Sequence, residues 1–476
     1  MALAPLFMAC GGSTPGPASE SPPDEQKPPD GPKPIDDHLP PGCGLPEPAF
    51  CETFDEAKPG GRGADIDEKT WSFARWGNVT NRWFGRATSN SASIYYDEQG
   101  NKHTTTDSSN TDVPSMCGEQ FSNVDALQDV RVCGGQLNEV FNDNGTLVEN
   151  SMRIRQPFDF TGRTGTVVFD VDAKRNDGWD GHGWWLEIWI SEDPTPIPYH
   201  GAPTIESYTA RGAVGFQVLP HGDCFGDVTG NNIGRVVELD DYEVLSDRQI
   251  SGNCFKVRDT KLNRFRLEIS KNKAEFFVSD FDGTELKHIV TYDLDLTFEV
   301  GYLHFQHVHY NAGKVPNSQG KHATSTQAYR WDNIGFDGPR YPTPRGYDAQ
   351  ESARDAEATT CGNCSEYYKV GVVHGFDIKE GQRFEIADVD LTDAVRATLN
   401  FNALGWGGRG LQYQLNGNGW QDYSLSSKLM GDLLRTVSLN VPLTQLVPGT
   451  NVLEFQHEND GIEAIGNIDI TVDASK

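Results

Sequence analysis

The feature that most constrains the fold is a repeated alternation of apolar and polar residues, interrupted by turn-forming residues. Residues 164–173, 264–269 and 274–279 show this two-residue period, and no long segment has the 3.6-residue period of a helix. The 476 residues include 50 glycines and 27 prolines, which end strands and form turns. Short strands joined by frequent turns are typical of β-sandwiches. The sequence therefore predicts an all-β chain, long enough for two or three domains.

The first twelve residues, M-A-L-A-P-L-F-M-A-C-G-G, are a short apolar run that ends in a small residue before Cys10. This segment resembles the end of a bacterial lipoprotein signal over residues 1–10, in which the cysteine is acylated and becomes the new N-terminus. The resemblance implies an exported protein of the bacterial cell envelope, either anchored on the outer surface by a lipid on Cys10 or secreted. An ordinary signal peptide cleaved near Ala9 and a fortuitous apolar start are the alternatives.

Residues 11–44 form a polar segment with ten prolines between residues 11 and 42. Such a composition cannot bury a core, and it predicts an extended, disordered tether. At ~3.1 Å per residue in a polyproline-like state, the tether would reach on the order of 100 Å. No stretch of 18 apolar residues follows it. We therefore expect membrane contact through the lipid anchor alone.

The charge balance is strongly acidic, with 69 Asp and Glu against 40 Lys and Arg and a net charge of −29. No basic cluster interrupts it, so the phosphate backbone of a nucleic acid would be repelled. We therefore expect no nucleic-acid partner. The acidity is explained either by solubility or by calcium binding, since Ca²⁺ takes oxygen ligands from carboxylates.

Nine cysteines are an odd number for a secreted protein, but eight are left when Cys10 is assigned to the lipid. Eight cysteines suit four disulfide bonds in an oxidising compartment. Spacing alone does not decide the pairing, and proximity in the sequence favours Cys43–Cys51, Cys117–Cys133, Cys224–Cys254 and Cys361–Cys364. The alternative is a set of buried free thiols in a cytosolic protein.

The most informative segment is G-W-W-L-E-I-W-I-S-E, residues 183–192. With a period of two, its aliphatic residues point to one side of a strand, while Trp185, Glu187 and Trp189 point to the other. A carboxylate between two indoles suits the floor of a sugar-binding groove. Indoles stack on the apolar faces of pyranose rings, and a carboxylate accepts hydrogen bonds from hydroxyl groups. The alternative is that the tryptophans pack beneath a loop, with Glu187 at its rim.

This segment resembles the concanavalin A-like lectin/glucanase superfamily, specifically family 16 glycoside hydrolases, which carry E-x-D-x-E or E-x-D-x-x-E on a strand of the concave face. In E-I-W-I-S-E, Glu187 falls at the nucleophile position and Glu192 at the acid/base position, and Trp189 replaces the aspartate between them. Residues 50–56 and 329–336 are similar to the first and last strands of the family. The resemblance implies a concanavalin A-like jelly-roll sandwich over residues 45–344.

The replacement of the aspartate by tryptophan affects the predicted activity. Hydrolysis with retention needs two carboxyl groups about 5–5.5 Å apart. Residues five apart lie on opposite faces of a regular strand, so Glu192 would join Glu187 only through a β-bulge. Trp189 can donate an N–H but cannot share a proton with a nucleophile. We therefore expect a glycan-binding protein without catalysis. An endo-acting retaining β-glycan hydrolase, a lyase using other residues, and an envelope or adhesion scaffold are the alternatives.

Two further patterns concern metals. His304, His307 and His309 lie in Y-L-H-F-Q-H-V-H-Y, where His307 and His309 share a face of the predicted strand. They could hold a transition metal or supply a base beside Tyr310, whereas packing within a half-exposed strand is the commoner role. Asp332 falls in the predicted last strand, where members of family 16 often bind a structural calcium. A surface aspartate is the alternative.

The C-terminal region, residues 366–476, follows a polar stretch at residues 345–365 that we interpret as a linker. Its alternating segments, such as residues 395–401, predict a second, smaller β-sandwich. The segment L-V-P-G-T-N-V-L-E-F resembles the galactose-binding-like modules attached to many bacterial glycan-active enzymes. Trp406 and Trp420 lie in loops rich in glycine and asparagine and are candidate sugar platforms. Packing over the core, or a spacer role for the module, are the alternatives.

Overall fold

Antiparallel strands make up nearly all of the described secondary structure and form two sandwiches. The structure is a computed structural model, and it describes residues 41–58, 65–77, 94–96, 102–104, 115–116, 119–120, 128–142, 148–172, 184–195, 210–220, 230–241, 243–249, 253–258, 261–280, 283, 285–309, 326–342, 344–349, 374–376, 382–405, 411–422, 431–457 and 463–475. These residues include no α-helix and one 3-10 turn, Leu443–Gln445.

The strands of the first sandwich and of two separate short hairpins are numbered along the chain. They are β1 (Pro48–Glu52), β2 (Trp71–Gly77), β3 (Ile94–Tyr96), β4 (Lys102–Thr104), β5 (Ser115–Met116), β6 (Glu119–Gln120), β7 (Gln128–Cys133), β8 (Gln136–Asn142), β9 (Val148–Ile154), β10 (Phe158–Asp159), β11 (Gly165–Val171), β12 (Trp184–Ser191), β13 (Gly212–Pro220), β14 (Gly230–Asp240), β15 (Glu243–Gln249), β16 (Cys254–Lys256), β17 (Asn263–Ser270), β18 (Lys273–Ser279), β19 (Leu286–Asp293), β20 (Val300–His309) and β21 (Thr326–Asp337).

Two large sheets form the first sandwich. Sheet I has the order β19-β18-β17-β11-β21-β8-β7, with β1 paired to β21. Sheet II has the order β15-β14-β13-β12-β20-β9-β2, with β10 paired to β20 and β16 to β14. Strands far apart in the sequence, such as β11 and β21, are neighbours in the same sheet, as a jelly-roll requires. Two short hairpins, β3-β4 and β5-β6, are separate from these sheets.

The core of the first sandwich is aromatic and joins sheet I to sheet II. Phe169 stacks on Phe265 of the neighbouring strand, with 5.1 Å between ring centroids. Phe305 of sheet II meets Phe169 edge to face at 5.5 Å and Trp331 at 5.7 Å. Such edge-to-face contacts between large rings stabilise the packing of one sheet on the other.

The second sandwich has nine strands in two sheets among the described residues. They are β22 (Arg345–Asp348), β23 (His374–Phe376), β24 (Gln382–Val389), β25 (Ala394–Gly405), β26 (Leu411–Leu415), β27 (Gln421–Asp422), β28 (Gly431–Val441), β29 (Gly449–His457) and β30 (Glu463–Ala474). Sheet III is β22-β30-β25-β28 with β23 on β30, and sheet IV is β24-β29-β26-β27. Phe401 and Phe455 join the two sheets, with ring centroids 5.3 Å apart. The predicted fold class, a jelly-roll sandwich followed by a smaller β-sandwich, is confirmed.

The start of the expected linker is part of the second sandwich. Residues 345–348 pair with β30 from Arg345↔Val472 to Asp348↔Asp469. Tyr347 is buried in the second core, and its hydroxyl accepts a hydrogen bond from the Asp390 N–H at 3.0 Å. The expectation of a linker at these four residues was wrong. The stretch is mostly polar, but Tyr347 within it is buried in the core and fixes the strand.

The two sandwiches share a buried contact. Asp469 of β30 receives hydrogen bonds from Arg153, near the end of β9, and from Arg155, which directly follows β9. Ser72 of β2 donates to the same carboxylate at 3.2 Å. Thr195, after β12, donates to the main-chain oxygen of Val437 in β28 at 2.8 Å. The second sandwich is therefore held against one end of sheet II by specific polar contacts.

The expected disulfide bond between Cys43 and Cys51 is present. Cys133 and Cys254 are also in disulfide bonds. Their expected partners, Cys117 and Cys224, lie outside the described residues, as do Cys10, Cys361 and Cys364. In the part of the chain that the structure describes, no helix is long and apolar enough to cross a membrane.

Candidate functional site

Strand β12 divides its residues between the core and the opposite face of sheet II. Leu186, Ile188 and Ile190 belong to the main core, as the alternation predicted. Trp189 belongs to a separate small cluster on the other face. The side chain of Trp185 lies outside the described part of the chain.

A row of polar side chains crosses this other face of sheet II, one residue from each of five adjacent strands. Cross-strand partners lie on the same side of a sheet, so the pairing places the five side chains next to one another. All five are buried. We call this set the polar row: Ser151, Gln306, Glu187, Gln217 and Arg235.

The carboxylate of Glu187 is the centre of the polar row. Gln217 Nε2 donates to its Oε1 at 2.7 Å, and Trp189 Nε1 donates to its Oε2 at 2.8 Å. Glu187 is 0% exposed and Trp189 is 1% exposed. Both carboxylate oxygens are thus held by neutral donors, which is how a buried acid is accommodated within a protein.

The indole of Trp189 packs against the protein. Its cluster includes Ala213, Val237 and Leu239, all of them buried. Gly215 lies opposite it in register, and a Cβ at that position would be 2.5 Å from the indole ring atoms. The expectation that Glu187 and Trp189 form the open floor of a groove was wrong, because glycine on the next strand lets the indole lie flat against the sheet.

The two candidate catalytic glutamates leave β12 on opposite sides. The pairing of β12 with β13 and β20 has no register shift from Leu186 to Ser191, so no β-bulge brings Glu192 to the face of Glu187. The main-chain N–H of Glu192 continues the ladder by donating to Gly212 at 2.9 Å. Its carboxylate lies 3.6 Å from Arg211, and burial raises its pKa. The acid pair that retaining hydrolysis needs is not formed by Glu187 and Glu192.

The histidines of β20 are divided between the two faces of sheet II. His304 is the cross-strand partner of Trp189, whereas His307 is the partner of Leu186 on the core side. Both are fully buried, and burial lowers the pKa of His304 well below its usual value, with the positive charge of Arg153 adding to the effect. The side chain of His309 lies outside the described part. His304 and His307 therefore do not converge on one metal or one substrate.

Asp332 is the carboxylate expected to bind calcium. Its neighbour Asp170 is occupied by Arg264 Nε at 2.7 Å and by Asn333 Nδ2 at 2.7 Å. Burial, with repulsion from Asp170 and Asp55 in the same direction and a hydrogen bond from the Asn333 N–H in the opposite one, raises the pKa of Asp332 to about 7. The described residues contain no group of three or more His, Cys, Asp or Glu that could hold a metal.

The second sandwich contributes an exposed tryptophan. Trp420, in the turn between β26 and β27, is 38% exposed, whereas Trp406 lies outside the described residues. The turn is pinned by Asn416, whose Nδ2 donates to the main-chain oxygen of Gln445 at 2.9 Å, and by Asn418, which donates to Leu415 at 2.8 Å. This indole is therefore presented to solvent from a held turn.

Comparisons with known proteins give no family. No protein-family model matches the sequence, and no curated protein matches it. Among solved structures, the chain is similar to a legume lectin-like domain from Entamoeba histolytica at 12% identity, covering 44% of this chain and 87% of that one, with a TM-score of 0.30. It is similar to a non-specific endo-β-1,3(4)-glucanase of family GH16 at 14% identity, covering 61% and 90%, with a TM-score of 0.31. A third similarity is to the κ-carrageenase from Pseudoalteromonas carrageenovora in complex with a carrageenan oligotetrasaccharide, at 9% identity over 46% and 83%, with a TM-score of 0.29. These values are too low for a shared ligand or activity to follow.

Proposed function

We propose that the protein is an exported glycan-binding protein that does not cleave its ligand and that contacts it through the second sandwich. The observation that carries this proposal is Trp420, an indole 38% exposed on a pinned turn. An indole face gains free energy by covering the apolar C–H face of a pyranose ring, and a held platform loses little entropy on binding. Trp406 would belong to the same function if its loop reaches the same side.

The arrangement around β12 supports binding without hydrolysis. Glu187 is buried between two donors and Glu192 lies on the other side of the strand. A retaining mechanism would need both carboxyl groups on one side, flanking one glycosidic bond. The degenerate family 16 motif fits a relative of such enzymes in which the acid pair has been lost.

The charge of the chain favours an uncharged ligand. A net charge of −29 repels anionic polymers at long range. Neutral polysaccharides avoid this repulsion, and their hydroxyl groups still exchange hydrogen bonds with carboxylates and amides.

The cellular setting is also part of the proposal. A lipid on Cys10 and a polar tether that starts at residue 11 and ends before the buried Cys43 would hold the sandwiches at the bacterial surface. The disulfide bond between Cys43 and Cys51 suits an oxidising compartment. Replacing Cys10 by serine should move the protein from the membrane fraction to the soluble fraction and abolish labelling by a fatty acid. Unchanged labelling in C10S would remove the anchor from the proposal.

The proposed function is tested with the full chain on a panel of soluble polysaccharides. The panel combines affinity electrophoresis in gels that contain each polymer with an assay for newly released reducing ends. We expect retardation by at least one neutral polymer and no release of reducing ends from it. Reducing ends formed at a rate that Glu187→Gln abolishes would contradict the proposal and establish a hydrolase. If none of the polymers retards the protein, the alternative of an envelope or adhesion scaffold is favoured.

A further inference from the structure

Sheet IV of the second sandwich has a polar outward face that runs beside Trp420. Along β26 and β29, Tyr413, Leu415, Leu453 and Phe455 point into the core. The residues between them point outward and are half-buried or exposed. We call this set the amide face: Gln412, Gln414, Asp422, Glu454 and Gln456.

Hydrogen bonds fix the side chains of the amide face across three strands. Gln412 Nε2 donates to Asp422 Oδ1 at 2.7 Å, and Gln456 donates to Gln412 Oε1. Gln414 Nε2 donates to Glu454 Oε2 at 2.6 Å. Each of these bonds uses one of the two N–H groups of a glutamine amide. The face therefore presents donors and acceptors in fixed places, with little side-chain entropy left to lose on binding.

Trp420 lies at the edge of the amide face. The pairing Gln412↔Asp422 and Tyr413↔Gln421, carried one residue further, sets Trp420 across from Gln414. Trp420 directly precedes β27 and is two residues before Asp422, so carrying the alternation of β27 back by one residue puts both on the outward side. An exposed indole thus stands next to a row of fixed amides and carboxylates. An apolar ring face bordered by hydroxyl-binding groups is the chemistry that a sugar requires.

The charge and the width of the amide face identify the class of ligand. Asp422 and Glu454 lie on the face, and Arg383, the cross-strand partner of Glu454, is paired with Glu385 at 3.3 Å. The net charge of these four groups is negative, which disfavours a sulfated or uronic polymer. The three adjacent strands of the amide face span ~10 Å at about 4.8 Å per strand, which is wider than one sugar ring.

We propose that the amide face and Trp420 bind the side of an extended, neutral polysaccharide chain. The indole stacks on one ring, and the amides and Glu454 exchange hydrogen bonds with hydroxyl groups of that ring and the next. This inference rests on the proposed function and adds to it the surface beside Trp420 and the binding of the side of an extended chain. It differs from recognition of a chain end, because the face extends across three adjacent strands, β29, β26 and β27.

The test uses the full chain and affinity electrophoresis with three neutral polymers, mixed-linkage β-glucan, galactomannan and agarose, and two anionic ones, alginate and κ-carrageenan. The variants are Gln414→Ala and Gln456→Ala, with Gln414→Glu as a variant that keeps the length of the side chain. The matched control is Gln136→Ala, a half-buried glutamine that is the first residue of β8. Thermal unfolding of every variant verifies that the sandwiches remain folded.

We expect retardation by a neutral polymer, at least fivefold weaker in Q414A and Q456A and unchanged in Q136A. Q414E should also bind at least fivefold more weakly, because it places a carboxylate beside Glu454. If the wild-type chain binds a neutral polymer and the three glutamine variants bind it equally well, the amide face is wrong and the proposed function stands. If the anionic polymers bind more tightly than the neutral ones, the ligand class is wrong. If no polymer binds the wild-type chain, both proposals fail.

Discussion

Asp469 of the second sandwich lies 3.3 Å from the Nη1 atom of Arg155 in the first, and both side chains are fully buried. Arg153 Nη2 is 3.4 Å from the same carboxylate, and Asn400 donates to it at 2.9 Å. Arg155 also meets Asp348 of β22 at 3.1 Å. Burial lowers the pKa of Arg153 to about 10, while Asp469 acts in the opposite direction. The two sandwiches are therefore joined by buried ion pairs between arginines of the first and aspartates of the second.

The first prediction concerns this joint. Replacing Asp469 by alanine removes the carboxylate that both buried guanidinium groups share and leaves Arg155 paired with Asp348 alone, which costs about 3–5 kcal/mol. We expect urea unfolding of D469A, followed by tryptophan fluorescence, to show a lower midpoint and two separate transitions in place of one. The matched control is Asp473→Ala on the same strand, whose partner Arg396 is mostly exposed. An exposed pair contributes less than about 1 kcal/mol. Equal losses of stability in D469A and D473A would contradict the claim that the buried ion pairs of Asp469 hold the two sandwiches together.

The second prediction separates structure from binding at Glu187. The variant E187A removes the buried carboxylate to which Trp189 Nε1 and Gln217 Nε2 donate. Removing the acceptor of two buried hydrogen bonds lowers the unfolding free energy by about 2–4 kcal/mol. We expect this loss in chemical denaturation and an unchanged glycan affinity below the midpoint. The matched control is Glu268→Ala, whose carboxylate pairs with the partly exposed Arg266.

A loss of glycan binding without a loss of stability in E187A would contradict this prediction. A variant as stable as the wild type that no longer binds glycan would place the ligand over β12. It would restore the groove predicted from the sequence and overturn the purely structural role of Trp189.

The third prediction concerns pH. The pKa of Asp332 is raised from 3.8 to about 7 in the folded protein. Between these values the folded state holds a proton that the unfolded state has lost, so this group makes the protein less stable as pH rises from about 4 to about 7. We expect Asp332→Asn to raise the unfolding free energy at pH 8 by on the order of 2 kcal/mol and to have little effect at pH 4.

Unfolding at pH 4, 6 and 8 measures the effect of Asp332. A D332N variant that is less stable than the wild type at pH 8 would contradict it. Calcium is tested in the same series, because an ion bound to Asp332 would favour its ionised form. A rise in Tm with added calcium at pH 8 that D332N abolishes would show that calcium binds at Asp332.

The alternation in the sequence was sufficient to predict the strands and the sides of β12. Leu186, Ile188 and Ile190 lie in the core because the two-residue period puts them on one face of β12, and this apolar face covers the core of the sandwich. The alternation did not show what covers the opposite side. Trp189 is buried because Gly215 lies across from it, and the register of β13 against β12 depends on the whole sheet.

Contacts between distant parts of the chain were beyond the sequence patterns. Arg153 and Asp469 are 316 positions apart, and each sits in an ordinary strand pattern. The amide face follows from the pairing of β26 with β27 and β29, which sets Gln412 between Asp422 and Gln456. Single glutamines in alternating strands resemble any solvent-exposed residue until the register brings them together.

The most direct test of the central claim is the affinity of Trp420→Ala for whichever neutral polysaccharide the wild-type chain binds. The control is Tyr341→Ala, which removes an aromatic side chain that is 40% exposed and lies outside the second sandwich. Isothermal titration with the full chain should show at least a tenfold loss of affinity in W420A and no change in Y341A, with the Tm of both close to that of the wild type. Equal affinities of W420A and the wild type would contradict glycan recognition by the second sandwich.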